Sequence, residues 1–186
     1  MNTGLVYVFT GEGKGKTSAA LGVATRSLLN GEKVSWVAFY KQDTWGLSEA
    51  KMRDKFSNLD MSFIGKGFSI GKKTAPVGDK GHVVVDTASA LEHKKAAESG
   101  LELARQMLAL KPFLLVMDEV LNAVSDGLID EDDVIQLLAS RNETHIILTG
   151  RGVTDEIIKV SDLVTECRKI KHPYDVGKLA VKGLDF

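Results

Sequence analysis

Short, wholly apolar runs alternate along the chain with longer stretches at helical spacing, and that alternation predicts the architecture. Leu5-Val6-Tyr7-Val8-Phe9 is rich in β-branched and aromatic residues with no polar interruption. It reads as a strand buried on both faces, hence as part of a parallel sheet. After the glycine-rich stretch 11–17, Ala20, Leu21, Ala24 and Leu28 recur at helical spacing from Ser18 to about Leu29, and Asn30-Gly31 supplies a stop. Further strands are expected at Val34 to Phe39, Met61 to Ile64, Phe113 to Met117, His145 to Leu148 and around Leu163 to Ile170. Further helices are expected from about Thr87 to Leu110, from Asp130 to Ser140 and near Thr154 to Lys159. The first carries the stripe Leu101, Ala104, Met107 and Leu108 and is closed by Pro112; the second has an acidic first turn that suits the helix dipole. A polar tail follows to Phe186. Strands alternating with helices imply an α/β, doubly wound, mostly parallel sheet flanked by helices, with crossovers of one hand.

Residues 65–85 depart from this rhythm. Gly65, Gly67, Gly71, Gly78 and Gly81 interrupt the segment, and Lys66, Lys72, Lys73 and Lys80 make it basic. A long irregular stretch in a compact domain is usually functional or disordered. No repeat, low-complexity tract or linker divides the chain, so residues 1–186 are expected to form a single domain containing this segment.

Composition narrows the function. A 44% hydrophobic and 26% charged chain is ordinary for a globular protein. Its 24 basic and 25 acidic residues leave a net charge of −1, so no global field exists to hold nucleic acid, and no nucleic-acid partner is expected. One cysteine, Cys167, rules out a disulfide scaffold or a cysteine zinc site. No apolar run reaches the length of a membrane span, no targeting pattern opens the chain, and the expected location is cytoplasmic.

The chemistry is concentrated at Gly11-Glu12-Gly13-Lys14-Gly15-Lys16-Thr17. A strand, a glycine-rich turn and Lys-Thr opening a helix form the arrangement of a P-loop. Glycines let backbone amides turn inward, and with the helix N-terminus these amides form a nest for anions. Lys16 would reach phosphate oxygens, and the Thr17 hydroxyl would ligate magnesium. The apolar strand ending in Asp118-Glu119 would hold the metal directly or through water. In the general pattern G-x-x-x-x-G-K-[ST] the first glycine would fall at position 10, which is Thr10. The loop is one residue short, so it should hold phosphates differently. Lys41 and Arg151 also follow strands, on the edge where open α/β sheets bind ligands. Trp45 lies just beyond Lys41 and could line a pocket.

Together these motifs resemble the ATP:corrinoid adenosyltransferases of P-loop fold. The likeness runs from about Leu5 to Phe186 and rests on T-G-E-G-K-G-K-T at 10–17, A-F-Y-K at 38–41, G-F-S at 67–69, V-M-D-E at 116–119, T-G-R-G at 149–152 and the ending from Lys171. The resemblance implies a P-loop NTPase-like fold. It implies transfer of the 5′-deoxyadenosyl group of ATP to the Co(I) centre of a corrinoid, with triphosphate leaving, in adenosylcobalamin synthesis or salvage. ATP would lie reversed relative to ordinary P-loop enzymes, in keeping with the short loop. It also implies magnesium (or manganese), a flavin-dependent reductant such as a flavodoxin, and a homodimer.

Carried onto this chain, the resemblance gives ATP binding to Gly11, Glu12, Gly13, Lys14, Gly15, Lys16, Thr17, Ser18, Lys41 and Arg151, with Glu12 towards the ribose and Arg151 on phosphate. The metal would fall to Thr17 and Glu119, with Asp118 acting indirectly. Phe68 and Ile70 would meet the corrinoid, with Trp45 a further lining residue. Relatives often carry tryptophan where Ile70 stands, and a less flat side chain should displace the lower cobalt ligand less well. No side chain need act as general acid or base, because Co(I) carries no proton.

Two rival readings share the loop. A small phosphotransferase of deoxynucleoside-kinase type would add a base for an acceptor hydroxyl and release ADP. An ATP-dependent switch would order residues 65–85 for a partner. His82, His93, His145 and His172 lack metal-ligand spacing and are expected on the surface or in hydrogen bonds. Cys167 and Trp36 are expected in the core.

Overall fold

The computed structural model describes residues 3–67 and 88–185. Six strands, β1 (Val6–Thr10), β2 (Val34–Ala38), β3 (Leu59–Phe63), β4 (Leu114–Asp118), β5 (His145–Thr149) and β6 (Leu163–Glu166), form one sheet in the order β3-β2-β4-β5-β1-β6. Every pair is parallel. The helices are α1 (Lys16–Leu29), α2 (Ala90–Ala109), α3 (Val120–Ser125), α4 (Glu131–Ala139) and α5 (Asp155–Lys159). This is an α/β fold with a parallel sheet, as the alternation of patterns predicts, and it is of the P-loop NTPase type that the resemblance implies.

The continuous apolar runs explain why the sheet is covered twice. Successive strand residues point to opposite faces. Val6, Val8, Val37, Leu115, Met117, Ile146 and Leu148 join α2, α3, α4 and α5 in one core. Phe9, Val34, Trp36, Leu114, Val116 and Ile147 pack on the other face under Ala20, Ala24 and Leu28 of α1. Trp36 is fully buried, as expected.

Several boundaries differ from the sequence reading, each for a local reason. α2 begins at Ala90, not Thr87, because Ser89 caps it and Glu92 returns the bond to the Ser89 amide, a capping box. β3 begins two residues early, in register with Val34 at the start of β2. A turn at Asp43–Trp45 and a short helix at Ser48–Asp54, both 3-10, fill the β2–β3 connection. α3 starts immediately after Glu119 and had no separate sequence signal. β6 is shorter than expected, ends at Glu166 and is exposed along its length.

Insertion of β4 between β2 and β5 sets up the site. Register places Ala38 beside Asp118 and Phe9 beside Thr149. The segments that leave β1, β2, β4 and β5 therefore emerge together at the carboxyl edge of the sheet.

Candidate functional site

The loop after β1 is shaped from behind. Gly11 and Gly15 have φ of +102° and +121°, a region that favours glycine. The Gly13 amide donates to the Cys167 carbonyl at 2.6 Å, and the Cys167 amide donates to Thr10 O at 2.7 Å. A Cβ on Gly13 would lie 2.6 Å from that same carbonyl oxygen. The stretch just past β6 is thus the back wall of the loop. Cys167 is half-buried there and is not a member of either core cluster, so the expectation of a core cysteine is corrected.

Lys16 opens α1 and folds over the loop, its Nζ donating to Gly11 O and Gly13 O at 2.8 Å each. Burial lowers its pKa from the ordinary lysine value, partly offset by Glu119. The next residue reaches the neighbouring strand: Thr17 Oγ1 donates to Asp118 Oδ1 at 3.0 Å. Thr149 Oγ1 donates to the same oxygen at 2.7 Å and accepts the Glu119 amide at 2.8 Å. Asp118 is fully buried. Its other oxygen, Oδ2, lies 2.8 Å from Lys41 Nζ, which also sits 3.1 Å from Glu49 Oε1. Asp118 is therefore the hub beneath the cleft, and Glu119 is the acid on its wall.

Glu119 has φ +63°, a left-handed conformation that costs a residue of its kind on the order of 1–3 kcal/mol. Its Oε2 accepts from Asn122 Nδ2 at 2.6 Å, and Asn122 Oδ1 accepts the Arg151 amide at 2.6 Å. Burial, then the charge of Asp118, pushes the Glu119 carboxyl up to about 7. Arg151 extends over the loop with Nε 3.4 Å from Glu12 Oε2, both largely exposed.

A cleft of about 530 Å³ lies above these groups, within the range of small-molecule sites. Every sequence-selected nucleotide residue except Gly11 lines it: Glu12, Gly13, Lys14, Gly15, Lys16, Thr17, Ser18, Lys41 and Arg151. Glu119 lines it as well, while Asp118 lies below. Trp45 is half-buried and is not among the lining residues. Phe68, Ile70 and His82 lie outside the described residues.

Sequence reasoning missed part of this wall. Glu49 and Met52 come from the short helix after β2, and His172, Gly183, Leu184 and Asp185 from the tail. Lys14 Nζ pairs with Asp185 Oδ1 at 2.6 Å. Asn122 was also missed; its only local signal is its spacing of three residues from Glu119. Of the other histidines, His93 is buried and His145 Nδ1 accepts the Leu5 amide.

The donor set suits a hard cation. Among the described residues no cluster of three or more His, Cys, Asp or Glu could hold a metal. Magnesium needs no such cluster, since it commonly takes one or two protein oxygens and fills its octahedron with phosphate oxygens and water. Thr17 and Glu119 offer that kind of pair at the cleft. No helix among the described residues is long and apolar enough to cross a membrane.

A family model described as "ATP:corrinoid adenosyltransferase BtuR/CobO/CobP" matches residues 2–186. The chain is 31% identical over 185 residues to a corrinoid adenosyltransferase of Escherichia coli K12, covering 98% of this chain and 86% of that protein. It is 32% identical over 189 residues to the corrinoid adenosyltransferase CobA of Salmonella typhimurium, with the same coverage of 98% and 86%. It is 33% identical over 187 residues to a corrinoid adenosyltransferase of a Sinorhizobium species, covering 98% and 80%.

Proposed function

The chain belongs to the ATP:corrinoid adenosyltransferases, enzymes whose substrates are ATP and a corrinoid, and from that premise we propose how its residues carry the reaction. The Co(I) electron pair attacks C5′ of ATP, the C5′–O5′ bond breaks, and triphosphate leaves with the bonding pair. Cobalt becomes formally Co(III) in the adenosylated product. The electrons that make Co(I) come from a flavin-dependent reductant such as a flavodoxin. The enzyme acts in the cytoplasm as a homodimer whose subunits each work as one unit.

The observation that carries this reading is the short loop, closed by Lys16 and by the Cys167 carbonyl, facing the Thr17–Asp118–Glu119 group across one cleft. The loop amides and the ammonium groups of Lys14 and Lys16 hold triphosphate, and Ser18 supports it from the first turn of α1. Glu12 takes a ribose hydroxyl. Arg151 clamps phosphate, so that charge on the departing group meets a preorganised cation. Thr17 and Glu119 hold magnesium, which when bound supplies further charge neutralisation to the triphosphate. Asp118 acts through Thr17. No general acid or base is required, and the residues serve to position the reactants and exclude water. Phe68, Ile70 and Trp45 face the corrinoid, and Ile70 favours a precursor lacking the lower ligand over complete cobalamin.

The test is anaerobic. Protein, ATP, magnesium and chemically reduced cobalamin should yield a light-sensitive adenosylated corrinoid and inorganic triphosphate. ADP and phosphate with no carbon–cobalt product would refute the reading.

A further inference from the structure

Lys41 is placed with unusual care for a cation at a pocket wall. The preceding residue, Tyr40, takes a left-handed φ of +64°, and its hydroxyl donates to Asp126 Oδ2 at 2.6 Å. Gly65 is pressed against this turn, where a Cβ would lie 1.8 Å from the Tyr40 carbonyl carbon, and its amide donates to Lys41 O at 2.8 Å. Strained backbone of this kind persists only where its surroundings over-determine it. The result turns the Lys41 side chain inward, only 11% exposed, between Asp118 and Glu49, which are 0% and 9% exposed.

We propose that Lys41 and Glu49 form a positioning pair, holding the Asp118 carboxylate so that the Thr17 hydroxyl presents its lone pairs to the metal, and that Lys41 is not a phosphate ligand. The chemistry follows from the inventory of hydrogens. A threonine hydroxyl has one hydrogen and two lone pairs. With its hydrogen committed to Asp118 Oδ1, Thr17 turns only acceptor density away from that bond, as a cation ligand requires. One oxygen of Asp118 accepts this bond and the one from Thr149, and the Lys41 ammonium, 2.8 Å from the other, pairs with the carboxylate and holds it in place. Glu49 in turn fixes Lys41 and anchors Ser48–Asp54 to the floor of the cleft. Burial disfavours the lysine charge most, but the two carboxylates together outweigh it and hold the pKa above the ordinary lysine value.

The inference rests on the adenosyltransferase reading, and its test is separable because no corrinoid is added. ATP binding is measured by calorimetry in chelator, and again across a magnesium titration, with melting temperature as a control. Lys41→Met is expected to bind metal-free ATP within about twofold of the parent while needing about tenfold more magnesium for half-saturation, the scale of losing a group that orients a metal ligand. A loss of about tenfold or more in metal-free ATP affinity would make Lys41 a direct phosphate ligand and overturn the proposal. A lower melting temperature with both affinities unchanged would reduce it to a structural contact and also overturn it, as would a parent protein whose ATP affinity ignores magnesium. Should Lys41→Met not fold, Glu49→Gln decides: a rise of about threefold in magnesium demand supports the proposal, and no rise overturns it. A missing adenosylated product alongside an intact magnesium shift would sink the reaction and leave the pair standing.

Discussion

Replacing Glu119 with glutamine should make the protein more stable at neutral pH and nearly inactive. The carboxyl sits beside buried Asp118, and its proton is held up to about 7 against an ordinary value of 4.5. Between those values the native state keeps a proton that the unfolded chain has lost, so stability falls as pH rises through this window and levels off above it. Each tenfold change in proton affinity is worth about 1.4 kcal/mol, which sets a ceiling of about 3–4 kcal/mol on this penalty. Glutamine has no charge to bury, keeps an oxygen for the Asn122 bond of 2.6 Å, and leaves the left-handed backbone unchanged. Urea unfolding of parent and variant without metal, at several values from about pH 4.5 to about pH 8, reads the difference directly. The variant should gain on the parent by about 1–3 kcal/mol across that range. Removing the wall carboxylate should also cut adenosyl transfer by about 100-fold or more. Stability profiles that run parallel at all pH values would show that burial of this carboxylate has been misjudged.

Three other substitutions probe the same wall. Gly13→Ala places a methyl 2.6 Å from the Cys167 carbonyl oxygen; the loop must shift, and ATP affinity by calorimetry should fall about tenfold or more. Asn122→Ala frees both the Glu119 carboxylate and the Arg151 amide; it should cost about 1–3 kcal/mol in urea unfolding and lower kcat more than it raises KM for ATP. Asp185→Asn removes the carboxylate that pairs with Lys14; ATP should bind about two- to threefold tighter at low salt, with the gain vanishing at high salt.

Local sequence carried the sheet and the loop because both are written in neighbouring residues. An uninterrupted apolar run such as Leu114–Met117 states its own burial on two faces. Glycines ahead of Lys16-Thr17 state the turn that a phosphate needs. The capping pair Ser89 and Glu92 is equally local, and it starts the helix at Ala90 rather than at Thr87. What stayed hidden depends on residues far apart. Nothing near Lys41 indicates that Asp118 will neutralise it, because β4 comes to lie beside β2 only through the order of the sheet. The tail is polar, and although its ending carries part of the family resemblance, nothing in it announces that Asp185 reaches the loop 171 residues away. Glu119 is left-handed without glycine or asparagine to announce it.

The bond from the Gly13 amide to the Cys167 carbonyl has a consequence for how the protein acquires its activity. The phosphate loop is not supported by its own Lys16 bonds alone; it also leans on chain more than 150 residues downstream. Closing so long a loop is entropically costly and belongs late in folding. β6 is exposed along its length, so it is also an early candidate for local opening. Hydrogen exchange should therefore find the Gly13 amide protected only as firmly as β6 is docked, well below the amides at the centre of β4. ATP competence is thus among the last properties the folding chain gains and among the first it loses, while the sheet beneath remains intact.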